Sequence, residues 1–352
     1  MKNRNEVIDI AKGISIIMVV AGHCIGFIPN GWNHFELSVF FFLSGYCYNE
    51  KYNTSLSMMK MLFKKRLKSL YIPFIKYGLI FVILHNIFYD IHFYNIPDLW
   101  LNNKMEYFYN ISDFFKAILG VLAFYRIEQL LAPMWFLPIL FLTNIIFSFI
   151  GYTKNVFKMD EYSRGIIICI FFFLCYCIDS NQSKFFRVIN ISSIAIICFY
   201  IGYIYKQNFN RIIIKDFRVW IIAFLVYWFT SITGHLDFAG YRFVNPGFFL
   251  VCSLLLIYMV LFISEYISEN EFGLYLKNIG RISLDIMALH FISFKLVSII
   301  IIIIDDLPVW YLGYSSLYNN SFWDIIYLIS GIIIPCIVIK IKNIFIEKIR
   351  GI

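Results

Sequence analysis

Ten apolar runs, each long enough or nearly long enough to cross a bilayer as a helix, constrain this chain more than any other feature. They fall at residues 8–29, 34–48, 70–89, 134–151, 165–178, 188–205, 219–232, 247–263, 282–304 and 322–345. About twenty consecutive apolar residues span the hydrocarbon core, and lipid offers no partner to an unpaired backbone amide, so such runs fold as helices. The expected fold class is therefore an all-α membrane protein, a polytopic bundle of about ten transmembrane helices. An eleventh stretch, ISDFFKAILGVLAFY at 111–125, reads as an amphipathic interfacial or re-entrant helix. Composition excludes the soluble alternative. Of 352 residues, 61% are hydrophobic, 20% aromatic and only 15% charged, with a mean hydropathy of +0.74. A soluble domain of this size has no interior large enough for that much apolar surface.

The net charge of +8 does not point to nucleic acid, because the basic residues sit in short loops between the apolar runs. With ten spans and both termini inside, Lys and Arg divide 21 inside against six outside, leaving Lys12, Lys76 and Lys295 within spans. That asymmetry satisfies the positive-inside rule and predicts an inner (cytoplasmic) membrane protein with cytoplasmic termini. The first run is of span length with no small-residue cleavage site after it, so it reads as a helix rather than a signal peptide. No composition shift or internal repeat divides the chain, and the expectation is one membrane domain over 1–352. The eight cysteines lie in or beside apolar runs, without CxxC or Cys/His spacing, and read as small core residues rather than metal ligands.

The first run is VIDIAKGISIIMVVAGHC, Val7 to Cys24, and it carries Asp9, Lys12 and His23. An ionisable side chain at mid-bilayer costs about 2.5–3.5 kcal/mol on insertion scales, which makes each a candidate functional residue. Lys12 and His23 are eleven residues apart, so a helix returns them to within about 20° while separating them by about 16 Å in depth. Asp9 and Lys12, at i,i+3, can pair. His23 is either a polar residue solvated by a neighbouring helix or a proton-transfer group suited to neutral pH. Across the following turn, Glu36 brings a carboxylate within reach of that imidazole, about one turn nearer the outer face. Ser44 and Gly45 supply a small pair for close helix approach, or chemistry. The cluster Lys65, Arg66 and Lys68, in an inner loop before Pro73, reads as topological or lipid-binding, and it also suits the phosphates of a nucleotide-containing ligand. Trp135, in APMWFLP, is an interface-belt aromatic or a platform for a sugar ring. Asp285 and His290 share one run but lie about 140° apart around a helix, so they form no dyad by themselves.

Taken together, these segments resemble the acyltransferase 3 family of integral membrane acyltransferases, which includes bacterial O-acetyltransferases of surface polysaccharides. The resemblance rests on DIAKGISIIMVVAGH (9–23), FFFLSGY (40–46), KKRLKSLYIP (64–73), MWFLP (134–138) and GRISLDIMALH (280–290), in order along the chain. It implies about ten helices, acetyl-CoA as acyl donor without a metal, and a sugar hydroxyl of a glycan or lipid-linked precursor as acceptor. It also implies that Lys12 and His23 are the essential pair. The residues themselves add the expectation that Glu36 acts beside them, that Lys65, Arg66 and Lys68 lie toward the donor, and that Trp135, Asp285 and His290 lie toward the acceptor. Three departures stand out. Arg66 has Ser69 where relatives often have a second arginine, Glu36 stands where sugar-acetylating relatives often have histidine, and no hydrolase-like domain follows Phe345. The rival from another class is a transporter or flippase component for the same glycans, which would need inverted repeats or paired broken helices that the sequence lacks.

Overall fold

The computed structural model describes residues 5–24, 35–94, 108–125, 128–177, 184–208, 216–233, 236–237, 242–243, 246–317 and 320–350. Helix dominates them. In chain order the α-helices are α1 (Glu6–Gly22), α2 (Glu36–Tyr46), α3 (Leu56–Arg66), α4 (Ile72–Asp90), α5 (Ile111–Leu122), α6 (Phe136–Val156) and α7 (Glu161–Tyr176). They continue as α8 (Lys184–Asn208), α9 (Phe217–Thr233), α10 (Pro246–Tyr266), α11 (Glu271–Arg281), α12 (Ser283–Ile304) and α13 (Ser321–Arg350). The one extended pairing among the described residues is a two-residue antiparallel ladder that sets Leu236 opposite Phe243. This is an all-α membrane architecture.

The described part of each of the ten apolar runs overlaps an α-helix. Six stretches are long and apolar enough to cross a membrane: Leu56–Asp90, Gln129–Val156, Val188–Gln207, Gly247–Tyr266, Ser283–Ile304 and Ser321–Ile349. The runs at 8–29, 34–48, 165–178 and 219–232 correspond to α1, α2, α7 and α9, of 17, 11, 16 and 17 residues. At 1.5 Å per residue the described part of α2 covers about 17 Å, roughly half the hydrocarbon thickness. Residues 25–34, which both of the first two runs include in part, lie outside the described residues.

The segment 49–69 differs from expectation. It was expected as an inner loop, but Ser55 caps α3, its hydroxyl accepting from the Met58 amide at 3.3 Å. The helix then runs through a π turn, Leu67–Tyr71, straight into α4. Pro73 has no amide to donate back into the preceding turn, and a π turn is where a helix absorbs such a break. The basic cluster thus stands on a continuous helical rod. By contrast, α5 is the amphipathic helix expected at 111–125. Ile111, Phe115, Leu119 and Leu122 are exposed along one stripe, while Ala117 and Val121 are buried. Its Asn110 and Asp113 cap its first turn reciprocally.

Helix α1 runs through the middle of the bundle, against α2, α10, α11, α12 and α13. Backbone approach sets two of the crossings. A methyl added to Gly280 would sit 1.8 Å from the Asp9 carbonyl oxygen, so α11 lies directly on the start of α1. A methyl on Gly45 would sit 1.8 Å from the Phe199 carbonyl, and one on Gly202 would sit 2.0 Å from that of Phe42, which locks α2 to α8. Of the cysteines, Cys24, Cys175, Cys198 and Cys252 are buried, whereas Cys47, Cys169 and Cys177 are exposed. The core reading therefore holds for only half of them.

Candidate active site

The two ends of α1 carry different chemistry. At its start, Asp9 is 1% exposed and stands 3.7 Å from the Lys12 ammonium and 3.5 Å from Nε of Arg281 on α11. One turn earlier, Glu6 accepts from Lys277 at 2.7 Å. These pairs place α11 firmly on the first two turns of α1, and a carboxylate between two cations lowers the cost of burying each. Of the two cations around Asp9, the Lys12 side chain is 30% exposed and that of Arg281 42%.

At the other end, His23 is the C-cap of α1. Its Nδ1 lies 2.7 Å from the Val19 carbonyl oxygen. A carbonyl only accepts, so Nδ1 carries the proton and the lone pair sits on Nε2. His290 on α12 repeats this arrangement, its Nδ1 donating to the Ile286 carbonyl at 3.0 Å. The His290 side chain is fully buried, and its Nε2 has no hydrogen-bond partner among the described residues. The two rings are 5.1 Å apart, and Phe291 packs edge-on against His23 at 4.9 Å. The two imidazoles thus meet between α1 and α12. Glu36 is 3% exposed, and its Oε1 would lie 3.8 Å from a methyl on Gly22, next in the chain to His23. The expected third group therefore reaches the same end of α1.

The remaining expected residues lie elsewhere. Ser44 accepts from the Asn144 side chain at 3.3 Å, and Gly45 forms the α2–α8 contact. Lys65 reaches over the Tyr52 ring, with Nζ 3.5 Å from its hydroxyl; Arg66 is half-buried in electrostatic range of Cys47, Tyr48 and Tyr52; Lys68 is exposed. The cluster is split by the helix, one member turned inward and two outward. Trp135 is half-buried against the main core at the end of a 3₁₀ segment, Gln129–Trp135, that packs on α12. Pro133 lies within that segment. Asp285 accepts from the Tyr77 hydroxyl of α4 at 2.6 Å and is separate from His290.

Three buried polar groups escaped the sequence reading. His85 on α4 and Glu128, both fully buried, pair at 2.9 Å, and Tyr109 stacks on the imidazole at 3.4 Å. Arg164 on α7 is fully buried between Glu50 at 3.3 Å and Glu161 at 3.2 Å, over the rings of Phe147 and Tyr203. Asp324 on α13 is 1% exposed, and neither carboxylate oxygen has a hydrogen-bond partner among the described residues. The rule that flags His23, an ionisable residue within an apolar run, also fits His85 and Asp324. Two shallow surface hollows, one beside Thr54 and Tyr152 and one beside Glu6 and Lys277, contain neither histidine of the pair.

The family model described as an acyltransferase domain, acyltransferase 3, matches residues 5–340. The chain belongs to the acyltransferase 3 family. No match was found among curated proteins or among solved structures. As an acyltransferase 3 protein with membrane-length apolar helices, it is an integral membrane acyltransferase. The match takes in both ends of α1 and the α12 face that carries His290.

Proposed function

We propose that this acyltransferase 3 protein moves an acetyl group from acetyl-CoA to a sugar hydroxyl of a cell-surface polysaccharide or its lipid-linked precursor. The observation that carries the reading is the pair of imidazoles, His23 and His290, held 5.1 Å apart with both protonated nitrogens turned to their own helices. With Nδ1 of each ring directed at its own helix, Nε2 is the nitrogen that would take a hydroxyl proton, and burial strengthens the hydrogen bonds made there.

In this reading the start of α1 faces the cytoplasm, and the donor phosphates dock on Lys65, Arg66 and Lys68. Lys12, about 16 Å of helix rise from His23, holds the pantetheine arm between the two stations, with Asp9 and Arg281 fixing its helix. His23 takes the proton of the acceptor hydroxyl through Nε2 as the oxygen attacks the thioester carbonyl. The carbon–sulfur bond then breaks, and the imidazolium returns its proton to the departing CoA thiolate. His290 and Glu36 stabilise the imidazolium in between, and Trp135 and Asp285 contribute to the acceptor side. The cycle consumes one acetyl-CoA and one hydroxyl and yields one ester and one free CoA.

Purified protein in proteoliposomes tests this reading directly. Free thiol from acetyl-CoA should rise when host glycan is supplied, with ester appearing on the glycan by mass spectrometry. Absence of both, from folded protein, sinks the reading.

A further inference from the structure

Helix α13 presents Asp324, Tyr327 and Gly331 at i, i+3 and i+7, one stripe of a helix. Contacts show which way the stripe faces. A methyl on Gly331 would meet Val20 of α1 at 2.8 Å and Cβ of His290 at 3.5 Å. Tyr327 pairs with Ser298 of α12 at 2.8 Å and accepts from the Leu317 amide at 3.2 Å. Asp324, two turns beyond Gly331 and so about 10 Å farther along, acts electrostatically on the thiol of Cys24, the neighbour of His23. The carboxylate therefore stands at the His23 end of α1.

The chain over this end is tied down. Lys295 of α12 donates to the carbonyls of Leu312 at 2.5 Å and Tyr314 at 2.7 Å, so its charge is directed at the backbone of that segment. Ser316, adjoining Leu317, is 1% exposed, and its hydroxyl has no partner among the described residues. A buried carboxylate and a buried hydroxyl with no internal partner are rare in folded proteins, because each loses water and gains nothing in return. Groups in that condition fit a ligand that brings its own donors.

We infer that Asp324 and Ser316 form a hydroxyl-binding subsite at the His23 end of the bundle, which holds a neutral sugar by a pair of its hydroxyls. This deepens the acceptor side of the proposed function and rests on it for the choice of a sugar. An ionised carboxylate accepts from two neighbouring hydroxyls at once, and hydrogen bonds to charged groups are the stronger kind.

The test uses full-length protein in detergent, wild type against Asp324→Asn and Ser316→Ala, with methyl glycosides of glucose, galactose and N-acetylglucosamine as probes. Without sugar, Asp324→Asn should unfold at the same or a higher temperature, because it removes a buried carboxyl group that has no hydrogen-bond partner among the described residues. At least one glycoside should raise the melting temperature of wild type, and Asp324→Asn should need about tenfold more of it for the same shift. Ser316→Ala should shift the response in the same direction by less. A lower melting temperature for sugar-free Asp324→Asn would mean that the carboxylate has a structural role and would overturn the subsite. An unchanged sugar response, or none in wild type, would overturn it as well. The acyl-transfer reading fails separately: wild type would then release no CoA from acetyl-CoA while keeping its sugar response.

Discussion

At the scale of single residues, His23 is the sharpest test because structural and chemical roles predict different tolerance. His23→Ala should leave inserted, folded protein and cut acetyl transfer by about 10²–10⁴, the usual loss on removing a general base. His23→Gln keeps hydrogen bonding but accepts no proton, so it should be nearly as inactive. An interhelical hydrogen bond in membranes averages only about 0.6 kcal/mol, which means that a purely structural histidine would tolerate glutamine. Initial rates of CoA release by the two variants decide between these roles. His85 makes the contrasting case. Its pair with Glu128 is sealed from solvent on both sides, so His85→Leu takes the imidazole partner from a buried carboxylate that keeps the Tyr109 hydroxyl, and should cost about 3–5 kcal/mol of stability. The double variant His85→Leu/Glu128→Leu should recover much of that loss, as unfolding in denaturant would show. If the single and double variants are equally destabilised, the pair has no coupling and the cluster is held by stacking on Tyr109.

At the scale of elements, the continuous rod of α3 and α4 changes what the basic cluster can do. On a loop, Lys65, Arg66 and Lys68 would all be available to an anion. On a helix they point in different directions, and Arg66 turns toward Tyr48 and Tyr52 while the two lysines stay exposed. Replacing Lys65 and Lys68 together with Gln should therefore raise the KM for acetyl-CoA and leave turnover nearly intact, because such contacts act equally before and during reaction. Arg66→Gln should lower the melting temperature as well. Steady-state kinetics with varied donor, read beside a melting curve, separates the two. A turnover defect with unchanged donor KM in the lysine variant would place the donor elsewhere. The sequence did place Pro73 near the start of the apolar run 70–89, but not the π turn that lets the helix continue through it.

At the scale of the whole molecule, the prediction is orientation. Single cysteines placed at 60 and 213 should label from the cytoplasmic side, and one at 104 from the opposite side. Cytoplasmic labelling at 104 would break the ten-crossing scheme. Much of the architecture is legible in one dimension, because lipid leaves the backbone no alternative to helix and hydropathy marks where helices run. The stripe Ile111, Phe115, Leu119 of α5 and the Gly45 crossing could be read the same way, from helical period and side-chain size. The sequence likewise singled out Lys12, His23, Glu36 and His290, since ionisable groups in apolar runs are expensive enough to stand out. What it could not provide was pairing between distant segments. That His23 meets His290 and not Asp285, that Asp285 belongs to Tyr77, and that Arg281 shares Asp9 with Lys12 depend on which helix faces share a crossing. Those crossings are set by close backbone contacts such as Gly280 on Asp9, and side-chain packing between segments hundreds of residues apart leaves no periodic trace along the chain.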